Sequence, residues 1–180
     1  MISRTSTQES GITELPLPNE WKTLLRGLLE KGAKVTVQDV QRVWQLAVGR
    51  VNQIEGLSSQ TLWIETGSTG PRGAGLQHIL ENHSKEFAKY EPQQLMELAE
   101  ASTSVGLRVG THGRGTRTRP IFGLFFYGEP VAIAAQVGNN GFVVSMNPVG
   151  LEKVVKKNPQ HNSVNELVRI LQSSHRWPIV

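Results

Sequence analysis

The chain predicts an α+β fold in which N-terminal helices precede an antiparallel β-meander. Apolar residues recur at helical spacing early, at Trp21, Leu24, Leu25, Leu28 and Leu29, and again over residues 92–104. After Pro120 the pattern changes to three apolar, β-prone runs at 121–127, 131–137 and 142–146. Gly128-Glu129-Pro130 and Gly138-Asn139-Asn140-Gly141 join those runs, as expected for antiparallel neighbours. Helices first and a meander afterwards make an α+β domain rather than an alternating one.

Taken in order, residues 1–18 are rich in Ser, Thr and Pro and read as a flexible lead-in. A helix follows, with Asn19 as its cap and Gly32 as its end. A second helix is expected from about residue 36, with Val40, Val43, Trp44, Ala47, Val48 and Val51 on one side. Residues 19–58 are thus expected to form a helical hairpin module, either a docking unit or a layer packed on the domain after it. Residues 59–180 form the main domain. It opens with a strand at 61–65 and a glycine-rich stretch at 67–75, continues with a helix over 75–83, and closes with a last helix over 164–173.

Composition narrows the function. The 180 residues carry a net charge of +4, 38% apolar and 19% charged residues, and no cysteine. No apolar run approaches the roughly 18 residues needed to span a bilayer. Without cysteine there are no disulfides, thiolate zinc sites or cysteine nucleophiles. Residues 1–65 hold seven Lys or Arg against seven Asp or Glu, whereas residues 66–180 hold twelve against eight. The whole positive excess lies in the main domain, which is therefore the part expected to meet a polyanion.

The glycine-rich stretch is not a nucleotide-hydrolase P-loop, because Gly75-Leu76-Gln77 stands where that pattern needs Gly-Lys-Ser or Gly-Lys-Thr. It remains a loop that carries Arg72 beside a helix start. His78 and His83 are the leading proton carriers: imidazole gives and takes protons near neutral pH, and cleavage by an RNA 2′-hydroxyl needs both steps. Five positions apart, they lie about 140° from each other on a regular helix, so both face one site only if the helix ends or bends near Asn82. The bland alternative for each is a capping or packing histidine. Residues 105–120 hold Arg108, His112, Arg114, Arg117 and Arg119 with no acidic residue, a set suited to wrapping a phosphate. Carboxylates are scarce: Asp39 is the one aspartate, and only Glu129, Glu152 and Glu166 follow Glu100. A two-metal nuclease needs clustered carboxylates, so phosphodiester cleavage is expected without metal or other cofactor, on RNA rather than DNA.

The run Gly73-Ala74-Gly75-Leu76-Gln77-His78-Ile79-Leu80-Glu81-Asn82-His83, a basic loop, a meander and Gly141-Phe142-Val143-Val144-Ser145-Met146 together resemble the barnase, EndoU, colicin and RelE-like superfamily of RNases, in its phage and polymorphic-toxin forms. The resemblance covers about residues 62–150. It implies a toxin-type endoribonuclease with His78 as principal acid or base, His83 as helper or substrate contact, Arg114 or Arg119 on the phosphate, and a Ser145 hydroxyl in the cleft. Arg72, Arg117, His112 and Tyr127 are implied as substrate contacts. The chain has Ser145-Met146-Asn147 where many relatives place Thr followed by an aromatic, which leaves Tyr127 as the substitute for base stacking. The implied partners are RNA, tRNA among the candidates, and an acidic immunity or antitoxin protein. The implied place of action is the cytoplasm, including that of a target cell reached by delivery.

Two other readings compete. An ADP-ribosyltransferase would use Ser102-Thr103-Ser104, although the triplet sits in a helical pattern and no Glu-x-Glu follows it. A nucleic-acid-binding adaptor would use the basic segment alone and need no histidine.

Overall fold

The early apolar spacing folds as expected into helix α1 (Asn19–Glu30), which buries Leu25, Leu28 and Leu29. The computed structural model describes residue 9 and residues 11–179, and it starts this helix with Pro18, not Asn19, in the capping position. Gly32, at φ 81°, ends it: the amides of Gly32 and Ala33 return to the carbonyls of Leu29 and Leu28. Much of the expected flexible lead-in (1–8 and 10) lies outside the described residues. From residue 11 the chain is packed rather than free, since Ile12 is fully buried against α1.

The expected second helix is absent. Residues 36–53 form a 3-10 turn (Val37–Asp39), strand β1 (Val40–Gln45) and a second 3-10 segment (Val48–Gln53). The cause is a β-bulge. β1 pairs antiparallel with β2 (Thr61–Glu65), but Val40 lies opposite Glu65 and Arg42 opposite Ile64, leaving Gln41 extra. The bulge places Val40 and Val43 on one face three residues apart, a spacing that imitates a helix. With its β-branched and aromatic residues the segment fits a strand once β2 is available.

The β1–β2 hairpin has helices on both faces. Val40, Val43 and Trp63 meet α1 on one side, while Trp44, Leu62 and Ile64 enter the main core on the other. No separable module therefore ends at residue 58: β2 lies beyond that point, and Trp44 Nε1 donates to Thr103 Oγ1 at 3.0 Å. Arg50 fastens the same junction by donating to the carbonyls of Thr103 (2.9 Å) and Gly106 (2.7 Å).

Helices α2 (Leu76–His83) and α3 (Pro92–Val105) follow as expected. The meander is present as β3 (Leu107–His112), β4 (Arg119–Phe126), β5 (Glu129–Val137) and β6 (Val143–Pro148), in spatial order β3-β4-β5-β6. β3 takes six residues of the segment read as a basic loop. Gly110 and its polar neighbours gave it no alternating pattern. The β4–β5 turn is Tyr127-Gly128, with φ of 45° and 85°, so β5 begins at Glu129, inside the expected turn.

Helix α3 covers one face of this sheet, together with the main core. Helices α4 (Leu151–Lys157) and α5 (Val164–Ser174) cover the other through Val154, Leu167 and Leu171. A short strand β7 (Arg176–Trp177) runs parallel to the end of β4, beyond the reach of β3. At the β3 edge, His161 Nε2 meets the Val109 carbonyl at 2.8 Å, beside a bulge between Arg108 and Gly110.

The two sheets join at Gly141, whose carbonyl accepts from Trp63 N at 3.1 Å. Gly141 has φ 100°, and a Cβ there would lie 2.1 Å from the Thr61 carbonyl oxygen. Gly141→Ala is expected to cost roughly 3 kcal/mol or more. Thermal melting should then fall by about 6–12 °C for a chain of this size. Gly49→Ala, which meets no atom within 4 Å, should leave the melting temperature nearly unchanged.

Candidate nucleic-acid interface

Side chains alternate across a strand, so register decides which residues share a face. His112 lies opposite Arg119, and Gln136 lies opposite Ser145. The β4–β5 register sets Ile121 against Ala134 and, carried two residues further, aligns Arg119 with Gln136. Ile121 and Ala134 both face the α4–α5 layer. His112, Arg119, Gln136 and Ser145 therefore form one transverse row on that face. Gln136 is exposed, His112 and Arg119 are half-buried, and Ser145 is buried at the far end of the row.

The row is strongly electropositive. Lys153 and Lys157, one turn apart on α4, act on His112 together with Arg119. The His112 pKa is lowered first by burial and then by the charges of Arg119, Lys153 and Lys157. Burial also lowers Arg119, yet a guanidinium remains protonated at neutral pH. The loop after His112 adds Arg114 and Arg117, both exposed. Its shape is set by glycine: Gly113 has φ 97°, and a Cβ there would meet the Arg117 carbonyl oxygen at 2.2 Å.

A cleft of about 670 Å³ opens at this end of the sheet. The loop supplies Thr116, Arg117, Thr118 and Arg119; β5 and its following turn supply Gln136, Val137 and Asn139; Pro71 and Glu55 complete it. A smaller cavity of about 200 Å³ shares Glu55, Thr116, Thr118, Arg119, Gln136 and Val137. Pro71 brings the tip of the glycine-rich loop to the cleft, with exposed Arg72 next in the chain. That loop is tied to α2 by a 2.9 Å bond from Gly70 N to Glu81 Oε2.

The structure thus brings His112, Arg117, Arg119 and Ser145 to one end of the sheet, with Arg114 and Arg72 on adjoining loops. His78 and His83 lie on α2, and neither lines the cleft; nor do His112, Ser145, Lys153 and Lys157. Asn82 Nδ2 lies 3.1 Å from His78 Nδ1 and donates to the His78 carbonyl at 2.9 Å. His83 Nδ1 pairs instead with Glu86 Oε1 at 2.7 Å. The two imidazoles have separate partners even though the helix ends at His83. Tyr127 sits beyond the opposite end of β4, roughly 25 Å along the strand from Arg119, with its hydroxyl on Glu97. It cannot stack a base held at the cleft.

Four residues of the site were not singled out by the sequence. Gln136 and Glu55 become visible only through register and loop packing. The spacing of Lys153 and Lys157 is that of one helix face, but α4 is seven residues long and was not anticipated. Ser102-Thr103-Ser104 lies within α3 and not on a strand: Ser102 and Thr103 are buried and donate to the carbonyls of Leu98 and Ala99. Among the described residues, no three His, Asp or Glu are grouped to hold a metal, and no helix is long and apolar enough to cross a membrane. No family model and no curated protein sequence matches the chain.

The charge arrangement has a titration signature. With its folded pKa depressed, His112 binds a proton less readily in the folded than in the unfolded chain. Its contribution to stability is present above the unfolded imidazole value, about 6.5, and is lost as pH falls through the folded pKa. NMR titration should place the His112 midpoint below 6.5. The Lys153→Gln, Lys157→Gln double variant should move it upward, and an unmoved midpoint would rule out their influence.

Proposed function

We propose that the chain is a metal-independent endoribonuclease that cleaves RNA through attack of its own 2′-hydroxyl on the adjacent phosphate. The observation that carries this reading is the row of His112, Arg119, Gln136 and Ser145 beside Lys153 and Lys157. Fixed cations aimed at a phosphate stabilise the charge that develops on it, commonly the largest catalytic contribution. An imidazole kept neutral by its surroundings is a proton acceptor at neutral pH.

In this mechanism the substrate phosphate sits among Arg119, Lys153 and Lys157 and offsets part of their repulsion of a protonated His112. Binding of RNA therefore makes His112 more basic. His112 takes the 2′-proton as the 2′-oxygen bonds to phosphorus, and the P–O5′ bond breaks. In-line displacement puts the leaving 5′-oxygen on the far side of phosphorus, where a solvent water protonates it, and His112 then returns its proton to solvent. The products are a 2′,3′-cyclic phosphate and a 5′-hydroxyl. RNA supplies its own nucleophile, so no metal-bound water is required.

The role expected for His78 passes to His112 because His112 stands among the phosphate-binding cations. An acidic inhibitor of the immunity or antitoxin kind would complement the same cleft and compete with RNA, associating more slowly as salt rises. The reading places the protein's action in the cytoplasm, where RNA is met.

Purified protein incubated with RNA in excess EDTA should yield fragments with 2′,3′-cyclic phosphate ends. His112→Ala should lower the rate by about 10²- to 10⁴-fold with RNA affinity retained. Arg119→Ala should weaken binding and reduce its salt dependence. His78→Ala should cleave within a few-fold of the unaltered protein. Loss of cleavage in His78→Ala with His112→Ala still active would move the chemistry to α2, and RNA retention without cleavage would favour the adaptor reading.

A further inference from the structure

We propose that Lys31, Lys34 and Asn140 form a second phosphate site for the RNA strand, reached when that strand runs from the His112 row through the cleft and past the β5–β6 turn. This inference rests on the ribonuclease reading and extends the substrate beyond the nucleotides held at the row. The site is a cavity of about 380 Å³ between the end of α1 and that turn. Buried Leu28 and half-buried Ala33 give it an apolar floor, and exposed Lys31, Lys34, Ser58 and Asn140 give it a polar rim. Among the described residues neither lysine has a carboxylate partner. The last carbonyls of α1 do not offset them, because Gly27, Leu28 and Leu29 already accept from the amides of Lys31, Ala33 and Gly32. Two such cations above an apolar floor suit a phosphate with its attached sugar.

Continuity with the cleft decides the occupant. Arg119 and Gln136 belong both to the row and to the cleft. Asn139 lines the cleft beside Gly56, where an added Cβ would lie 3.0 Å from Asn139 Oδ1. Asn140, the next residue, lines the second cavity instead. Adjacent amides of one turn thus serve the two spaces, and the turn is fastened between them. The Asn139 carbonyl accepts from both the amide and the hydroxyl of Ser58 at 2.9 Å, and Asn140 Oδ1 accepts from Phe142 N at 3.1 Å. That last bond leaves Asn140 Nδ2 as a donor for a phosphate oxygen. Residues 55–59 run alongside, with Glu55 on the cleft and Ser58 and Ser59 on the second cavity. A polyanion with regularly spaced charges can occupy both spaces at once, whereas a lone small anion gains nothing from the pairing. Residues 1–65 carry seven basic and seven acidic residues, so composition alone hid this contribution.

Single-stranded RNA with 2′-O-methyl sugars, which cannot be cleaved, tests this by its binding to the full chain. Affinity should step upward as the oligonucleotide lengthens from a dinucleotide to a strand that reaches both spaces. The Lys31→Gln, Lys34→Gln double variant should remove that step, about tenfold at low salt, and lower the salt slope of long-RNA binding by about 1.4, the value for two phosphates of a single strand. Its melting temperature should not change, since both lysines are exposed. Lys89→Gln, at the opposite rim, controls for net charge and should keep the step. An unchanged affinity and salt slope in the double variant overturn the second site, while cleavage by the unaltered protein in EDTA stands. Loss of poly-glutamate binding in the double variant with RNA binding intact also overturns it, and assigns the cavity to an acidic protein. Absence of both RNA binding and cleavage in the unaltered protein overturns the ribonuclease reading and the second site with it.

Discussion

Strand β4 has no free face. Phe122, Leu124 and Phe126 are buried against the main core under α3, while Ile121 and the partly buried Phe125 pack against the α4–α5 layer. A strand with neighbours on both sides and helices on both faces has no room for a charged side chain except at its ends. At its start β4 carries Arg119, and at its finish it gives way to Tyr127-Gly128. The chemistry of the molecule is therefore confined to the two rims of the sheet, and the burial of β4 determines where each rim lies.

The two rims differ in charge because different elements reach them. At the first, β3 ends in His112, α4 contributes Lys153 and Lys157, and the intervening loop adds Arg114 and Arg117, with Glu55 as the sole carboxylate in the cleft. At the second, Glu97 accepts from both Tyr127 and Trp177, and Lys89 pairs with Glu129. Small residues keep the helical cover of the α4–α5 face close, as at Gly123, where a Cβ would come within 3.2 Å of Leu171 and Val109. Lys153 and Lys157 of that cover reach the His112 row, in which Gln136 is exposed, His112 and Arg119 are half-buried and Ser145 is buried.

Much of the fold could be read in the sequence because local pattern and tertiary need agreed. Helices α1, α3 and α5 and strands β2, β4, β5 and β6 lie close to where periodicity and turn residues put them. The failures share a cause, a local pattern altered by pairing with a distant segment. The bulge at Gln41 gave β1 a helical spacing, and Gly110 with its polar neighbours hid an edge strand inside a basic loop. The site was legible as a composition and not as a geometry. A basic, carboxylate-poor segment stood out, but periodicity carries no register, so the alignment of His112 with Arg119, Gln136 and Ser145 was invisible. His78 and His83 stood out because they share a short motif, whereas His112 and Lys157 are brought together only when the chain folds back.

The contact between His161 and the Val109 carbonyl bears on how the molecule behaves among copies of itself. β3 is the outer strand of the meander, and an outer strand offers unpaired backbone groups to any other chain that can lie alongside it. Here the outward carbonyl at the bulge already has an imidazole partner, and the bulge breaks the straight ladder that an added strand would need. Nearby, the Gly106 carbonyl is taken by Arg50. The sheet is sealed on this side by side chains from both ends of the sequence. Self-assembly by strand addition is thereby discouraged in a protein whose central strands are long and apolar.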